Sequence, residues 1–181
     1  MKRKPFIQGA VLALAAFGLP LNAWASERPA SCMTEDELAS VMLYAAPTLI
    51  RGARKGCAPF VGAESYLEQH GEETAARFYA YRGESWPAAR AAMFRVMSQD
   101  PRTRGLATVM EQMPEETLRS AADTLYSEKL AEDADAAICD KVTRGLELTS
   151  SLEPRKAARL AAFLFVTFRV EDLGICAMET E

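Results

Sequence analysis

Histidine is almost missing from this chain: His70 is the only one in 181 residues. No histidine-based catalytic triad can therefore be assembled around any other position. Cysteine is sparse too, and none of the four is part of a C-x-x-C pair. Without that spacing, a redox-active pair and a zinc site lack local support, and covalent haem attachment is excluded. There is no G-x-S-x-G, no P-loop and no G-x-G-x-x-G, so the usual phosphate and nucleophile cradles are absent. No useful stretch alternates as a strand would, and no hairpin dipeptide joins two β-branched runs. Internal repeats, low-complexity tracts and interdomain linkers are lacking as well.

What is present begins with an export address. Lys2, Arg3 and Lys4 precede an apolar stretch over residues 10–21, and Ala23-Trp24-Ala25 has the small-x-small form of a cleavage site. The first 25 residues read as a cleavable signal peptide, with the mature chain starting at Ser26. Arg3-Lys4 lacks the second arginine of a twin-arginine signal. Cys32 lies too far past the apolar stretch for a lipid-anchored start. The expected location is the periplasm, with full secretion as the alternative.

The mature chain of about 156 residues is enough for one domain with one core. It keeps all 25 acidic residues but only 18 of the 21 basic ones, giving a charge of −7. An acidic, intermixed surface argues against nucleic acid or an anionic membrane as partner. No integral membrane segment is expected after signal cleavage, because the longest apolar run falls short of the roughly 20 residues a bilayer needs.

That run covers residues 157–170, AARLAAFLFVTFRV, in which every residue from Leu160 to Val166 is apolar. A helix apolar on all sides is normally buried by its neighbours. The expected architecture is all-α: one disulfide-stapled domain, residues 26–181, of six to eight helices around a central apolar helix at about 154–170. Thr34 and Glu37 form a capping box for a first helix, which Pro47 should kink or break. A loop and then a short helix are expected over 59–69, stopped near Gly71, and further helices over 72–82, 85–97, 106–113, 114–131, 138–149 and 154–169. On the helix starting at Pro114, Leu118, Ala122 and Leu125 form the inward face.

Four cysteines in an oxidising compartment imply two disulfides with three possible connectivities. If 138–149 and 154–169 form an antiparallel hairpin, Cys139 and Cys176 fall at the same end of it and pair. Cys32 and Cys57 then pair by elimination, which requires the first helix to fold back near Pro47. An unbroken helix there would hold them about 30 Å apart, far beyond the roughly 7 Å a bridge allows.

Candidate chemistry is thin. His70 sits among Glu68, Glu72 and Glu73, which could share a cation with it, but beside a glycine it reads as a solvated or capping residue. Asp133-Ala-Asp135 opens like a calcium loop, yet Ile138 and Arg144 occupy the positions that need glycine and glutamate. No metal and no cofactor are expected. The most distinctive stretch is 77–95, RFYAYRGESWPAARAAMFR. Tyr79, Tyr81, Arg82, Trp86 and Arg90 there are of the residue types enriched at binding hot spots. They are the candidate binding residues.

These features favour a soluble, exported helical binding protein without a catalytic motif, acting on an unidentified partner such as another periplasmic protein. Two alternatives come from other classes. One is a hydrolase working through paired carboxylates on cell-wall polysaccharide. The other is an envelope-stress chaperone using adaptable methionine surface, although Met42, Met93, Met97 and Met110 sit at helical core positions.

Overall fold

The computed structural model describes residues 32–168 and 174–176, so the expected leader lies outside it. Seven helices follow in order: α1 (Glu35–Cys57), α2 (Tyr66–Tyr79), α3 (Arg82–Gln99), α4 (Arg104–Glu111), α5 (Glu115–Glu132), α6 (Ala136–Thr149) and α7 (Pro154–Thr167). No strand occurs among the described residues, only one parallel bridge between Met33 and Ile175. The all-α expectation holds, and the helices form one compact domain. Gly71 does not end a helix as its type suggested. It lies inside α2, buried against α1, where an added Cβ would come within 2.5 Å of Arg54 Cδ.

The helix at the centre is α1, which is a correction to the reading that placed 154–170 there. α2, α3, α5 and α7 all pack on α1. Its buried residues, among them Leu38, Leu43, Tyr44, Pro47, Ile50 and Ala53, point in every direction around the axis. Small residues make this crowding possible. A Cβ on Gly56 would lie 2.9 Å from Ala131 Cα, and one on Gly52 would lie 3.1 Å from Ser127 Cα, so α5 can rest directly on the α1 backbone. By contrast, α7 buries only Pro154, Ala158, Ala162 and Val166, one side chain per turn. Apolarity on all sides is a measure of side-chain chemistry. Close approach by several neighbours also needs small side chains, and α1 has them.

Pro47 does not break α1. It costs one backbone hydrogen bond, but its ring is fully buried among the packed helices, and that burial keeps the 23-residue helix continuous. The consequence reaches the cysteines. An α1 of about 34 Å separates Cys32 from Cys57, and the bonds formed are Cys32–Cys176 and Cys57–Cys139. The expected pairs 139–176 and 32–57 are both wrong. The hairpin assumption failed because α6 starts at the C-terminal end of α1 while the chain after α7 finishes at its N-terminal end. The two helices retrace α1 in succession, and they hardly touch each other.

Three apolar clusters lie along this spine. Leu38, Ala39, Ala92, Ala162 and Val166 fill its first third, and Tyr44, Trp86, Phe94 and Leu118 its middle. Ile50, Leu67, Ala75 and the Cys57–Cys139 bond fill its last third. Leu118 and Ala122 are buried on α5 as their spacing indicated; the side chain of Leu125 is outside the described set.

The capping box of α1 is present. The Thr34 hydroxyl accepts from the Glu37 backbone N–H, and the Glu37 carboxylate accepts from the Thr34 N–H at 2.9 Å. A hydrogen bond from the Arg95 guanidinium holds the Glu37 carboxyl below its ordinary range, against the opposing effect of burial. A carboxyl whose folded pKa is depressed contributes stability above its unfolded pKa, here 4.5, and loses it as pH falls through the lower folded value. Glu37→Gln should therefore cost about 1–2 kcal/mol at pH 7. Thermal melts should show that difference shrinking towards zero at acid pH. An equal deficit at both pH values would refute the electrostatic account.

Candidate binding groove

The aromatic and arginine residues singled out from the sequence turn mostly inward. Trp86 is 2% exposed, with its ring 4.7 Å from that of Tyr44 and the Arg119 guanidinium 4.9 Å above it. Arg82 donates to the Tyr44 hydroxyl at 2.9 Å and to the Asp123 carboxylate, which also accepts from Thr48 at 2.9 Å. Burial pushes the Tyr44 hydroxyl above its ordinary pKa, and the Arg82 charge opposes this. Arg90 lies over the Phe94 ring at 5.0 Å. Tyr81 has Arg155 5.0 Å from its ring, and the neighbouring Glu153 carboxylate raises its phenol. Tyr79 is the exposed member of the set. The structure thus brings the five residues onto one side of the bundle, where Arg82 and Trp86 join α3 to α1 and α5.

His70 is exposed, 3.8 Å from Glu73 and stacked near Tyr66. Among the described residues, no group of three or more histidine, cysteine or acidic side chains could hold a metal ion. Among the described residues, every carboxyl with a displaced pKa (Glu37, Glu72, Asp100, Glu153) is displaced downward.

A concave apolar feature lies on the opposite flank of α1. Sequence reasoning missed it. Met42, Ala46, Leu49, Ile50 and Ala53 of α1 form its floor. Phe78 of α2 closes one side, and Val142, Gly145, Leu146 and Thr149 of α6 form a wall at i, i+3, i+4 and i+7. Ala157, Ala158, Ala161 and Phe165 of α7 complete it around a cavity of about 420 Å³. Thr149 is the lone polar side chain in the lining, and its hydroxyl donates to the Gly145 carbonyl at 2.8 Å.

Three devices hold this groove open. The Cys57–Cys139 bond ties the start of α6 to the end of α1. Arg77 of α2 donates to the Ser150 and Leu152 carbonyls, both at 2.8 Å, and clamps the α6–α7 corner. Glu153 caps α7, with Pro154 in its first turn. α6 consequently leans on α2 more than on α1, and the gap between them becomes the groove. The legible signal was the set of small residues Gly145, Ala157 and Ala161 on faces that otherwise carry large apolar side chains.

Comparisons with protein-family models, with curated proteins and with solved structures find no match to this chain. The chemistry of the groove therefore carries the functional reading.

Proposed function

We propose that this chain is a non-catalytic binding protein of an exported compartment, and that the groove takes up a linear hydrocarbon chain. The observation behind the reading is the lining itself: apolar side chains from four helices, with no acid, base or nucleophile among them. Binding pockets normally pair an apolar wall with a few polar groups that orient the ligand. Here orientation is left to shape, which suits a ligand with no polar group along its length. Volume separates the two apolar ligands one would consider. The floor from Met42 to Ala53 is about 16 Å long, and a helix of that length occupies on the order of 1,300 Å³, so a helix could lay only one face in a 420 Å³ groove. A single extended chain could enter fully.

The two disulfides suit an oxidising compartment, and together with the leader read from the sequence they support a periplasmic location. The carboxylate-hydrolase alternative called for a cleft holding a carboxyl raised in pKa; the displaced carboxyls lie outside the groove and are lowered. Of the five aromatic and arginine residues, exposed Tyr79 stays in the proposal as the centre of a second contact surface.

Isothermal titration of the mature protein with palmitate tests the reading. A dissociation constant on the order of micromolar is expected. Gly145→Trp should weaken it at least about tenfold while leaving the protein at least as stable, because a mid-helix glycine costs about 1 kcal/mol relative to alanine. A Cβ at Gly145 meets nothing within 4 Å, so the new side chain has open space to enter. Absent binding, or unchanged affinity in the variant, would reject the hydrocarbon groove.

A further inference from the structure

From Leu160 to Val166 every residue of α7 is apolar, yet the domain covers only part of this stretch. Pro154, Ala158, Ala162 and Val166 face α1 and its cluster, and Ala157, Ala161 and Phe165 border the groove. Leu160, Phe163, Leu164 and Phe168 are left 40, 46, 41 and 74% exposed. At about 100° per residue these four share one stripe. Their exposed apolar area is roughly 400 Å², in the range of the largest patch a monomer carries.

The charges on the same helix say what could cover it. The first turn of α7 holds no acidic residue. Arg155 and Lys156 sit there instead, with Arg159 one turn on, near the positive end of the helix dipole, where cations are unfavourable. Arg155 is held by Glu84 at 2.7 Å. Lys156 and Arg159 are exposed and make no ion pair among the described residues. Such a helix is poorly matched to itself but well matched to an antiparallel copy, whose negative C-terminal end would lie beside this basic start.

We propose that the mature protein is a homodimer built by antiparallel packing of α7 against α7 of a second copy. With the two-fold axis passing between Phe163 and Leu164, Phe163 meets Leu164 of the partner copy. A homodimer interface of about 800 Å² per subunit that is about 65% apolar needs roughly 500 Å² of apolar surface. The α7 stripe supplies most of that.

Sedimentation equilibrium of the mature protein, from low micromolar to several hundred micromolar, should give twice the monomer mass. Phe163→Glu should weaken the dimer at least about 100-fold, because each substitution is felt twice across the axis. Phe163→Leu should keep the dimer. Phe163 is exposed and lies away from the groove, so circular dichroism and palmitate binding in Phe163→Glu should match the parent protein. Gly145→Trp should show the reverse, a dimer with the groove blocked, so that failure of one proposal is distinguishable from failure of the other. A monomeric parent protein at every concentration would overturn the proposal, and so would a dimer indifferent to Phe163→Glu.

Discussion

Reducing both disulfides should bring this domain to the edge of unfolding at 25 °C. The bonded cysteines are 144 and 82 residues apart in sequence. Closing loops of that size stabilises a fold by about 4–5 kcal/mol each in the chain-entropy model, against a typical total of about 5–15 kcal/mol. The two contributions will not add fully, because the Cys57–Cys139 loop lies inside the Cys32–Cys176 loop and the outer bond already shortens the search for the inner one. The bonds also differ in surroundings. Cys57 and Cys139 are buried with Ile50, Leu67 and Ala75, so replacing both by alanine also loosens that cluster and frees the groove wall on α6. Cys32 and Cys176 are half-buried beside the Met33–Ile175 bridge, and their loss should release mainly the strap across the start of α1. Urea titration of the oxidised and reduced protein measures the effect. Digestion without reductant should release fragments linked 32–176 and 57–139, and recovery of the opposite pairs would refute this topology.

That topology was half legible in advance. The sequence implied that an unbroken first helix would keep Cys32 and Cys57 apart, and it is unbroken. What misled was Pro47, whose local cost is real but is outweighed by burial of its ring between helices from distant parts of the chain. Gly71 misled in the same way, since the contact that favours glycine there comes from Arg54 on another helix. The connection over residues 150–153 offered no sign of whether the chain reverses, because Arg77, 73 residues away in sequence from Ser150, decides that angle. Helix content, the α1 cap and the α5 inward face were readable because they depend on spacing within about two turns. The groove was not, because it is a gap set by the disulfide and the Arg77 clamp. The apolar stretch 157–170 is wrongly placed at the centre, since hydropathy does not say how closely neighbouring helices can approach; the small residues of α1 do.

Trp86→Ala should destabilise the protein by about 3–5 kcal/mol, the usual cost of emptying a large buried aromatic site. The indole fills the middle cluster between Tyr44, Phe94 and Leu118, and it carries the Arg119 guanidinium on its face. Its loss would open a cavity adjoining the existing small one of about 100 Å³ that Trp86 shares with Met93, Met97 and Met110. Trp86→Phe should be much milder, at or below about 1.5 kcal/mol, because the Trp86 Nε1 has no hydrogen-bond partner in the structure and removing it breaks no bond. Tyr79→Ala, on exposed surface, should change stability by only about 0.5 kcal/mol. Chemical denaturation of the three variants tests this ordering directly. If Trp86→Ala unfolds at the denaturant concentration of the parent protein but loses a partner, the residue belongs to a binding surface after all. If it unfolds early while Tyr79→Ala does not, the aromatic–arginine stretch is chiefly the joint between α1, α3 and α5, and any loss of binding by Trp86→Ala follows from lost structure.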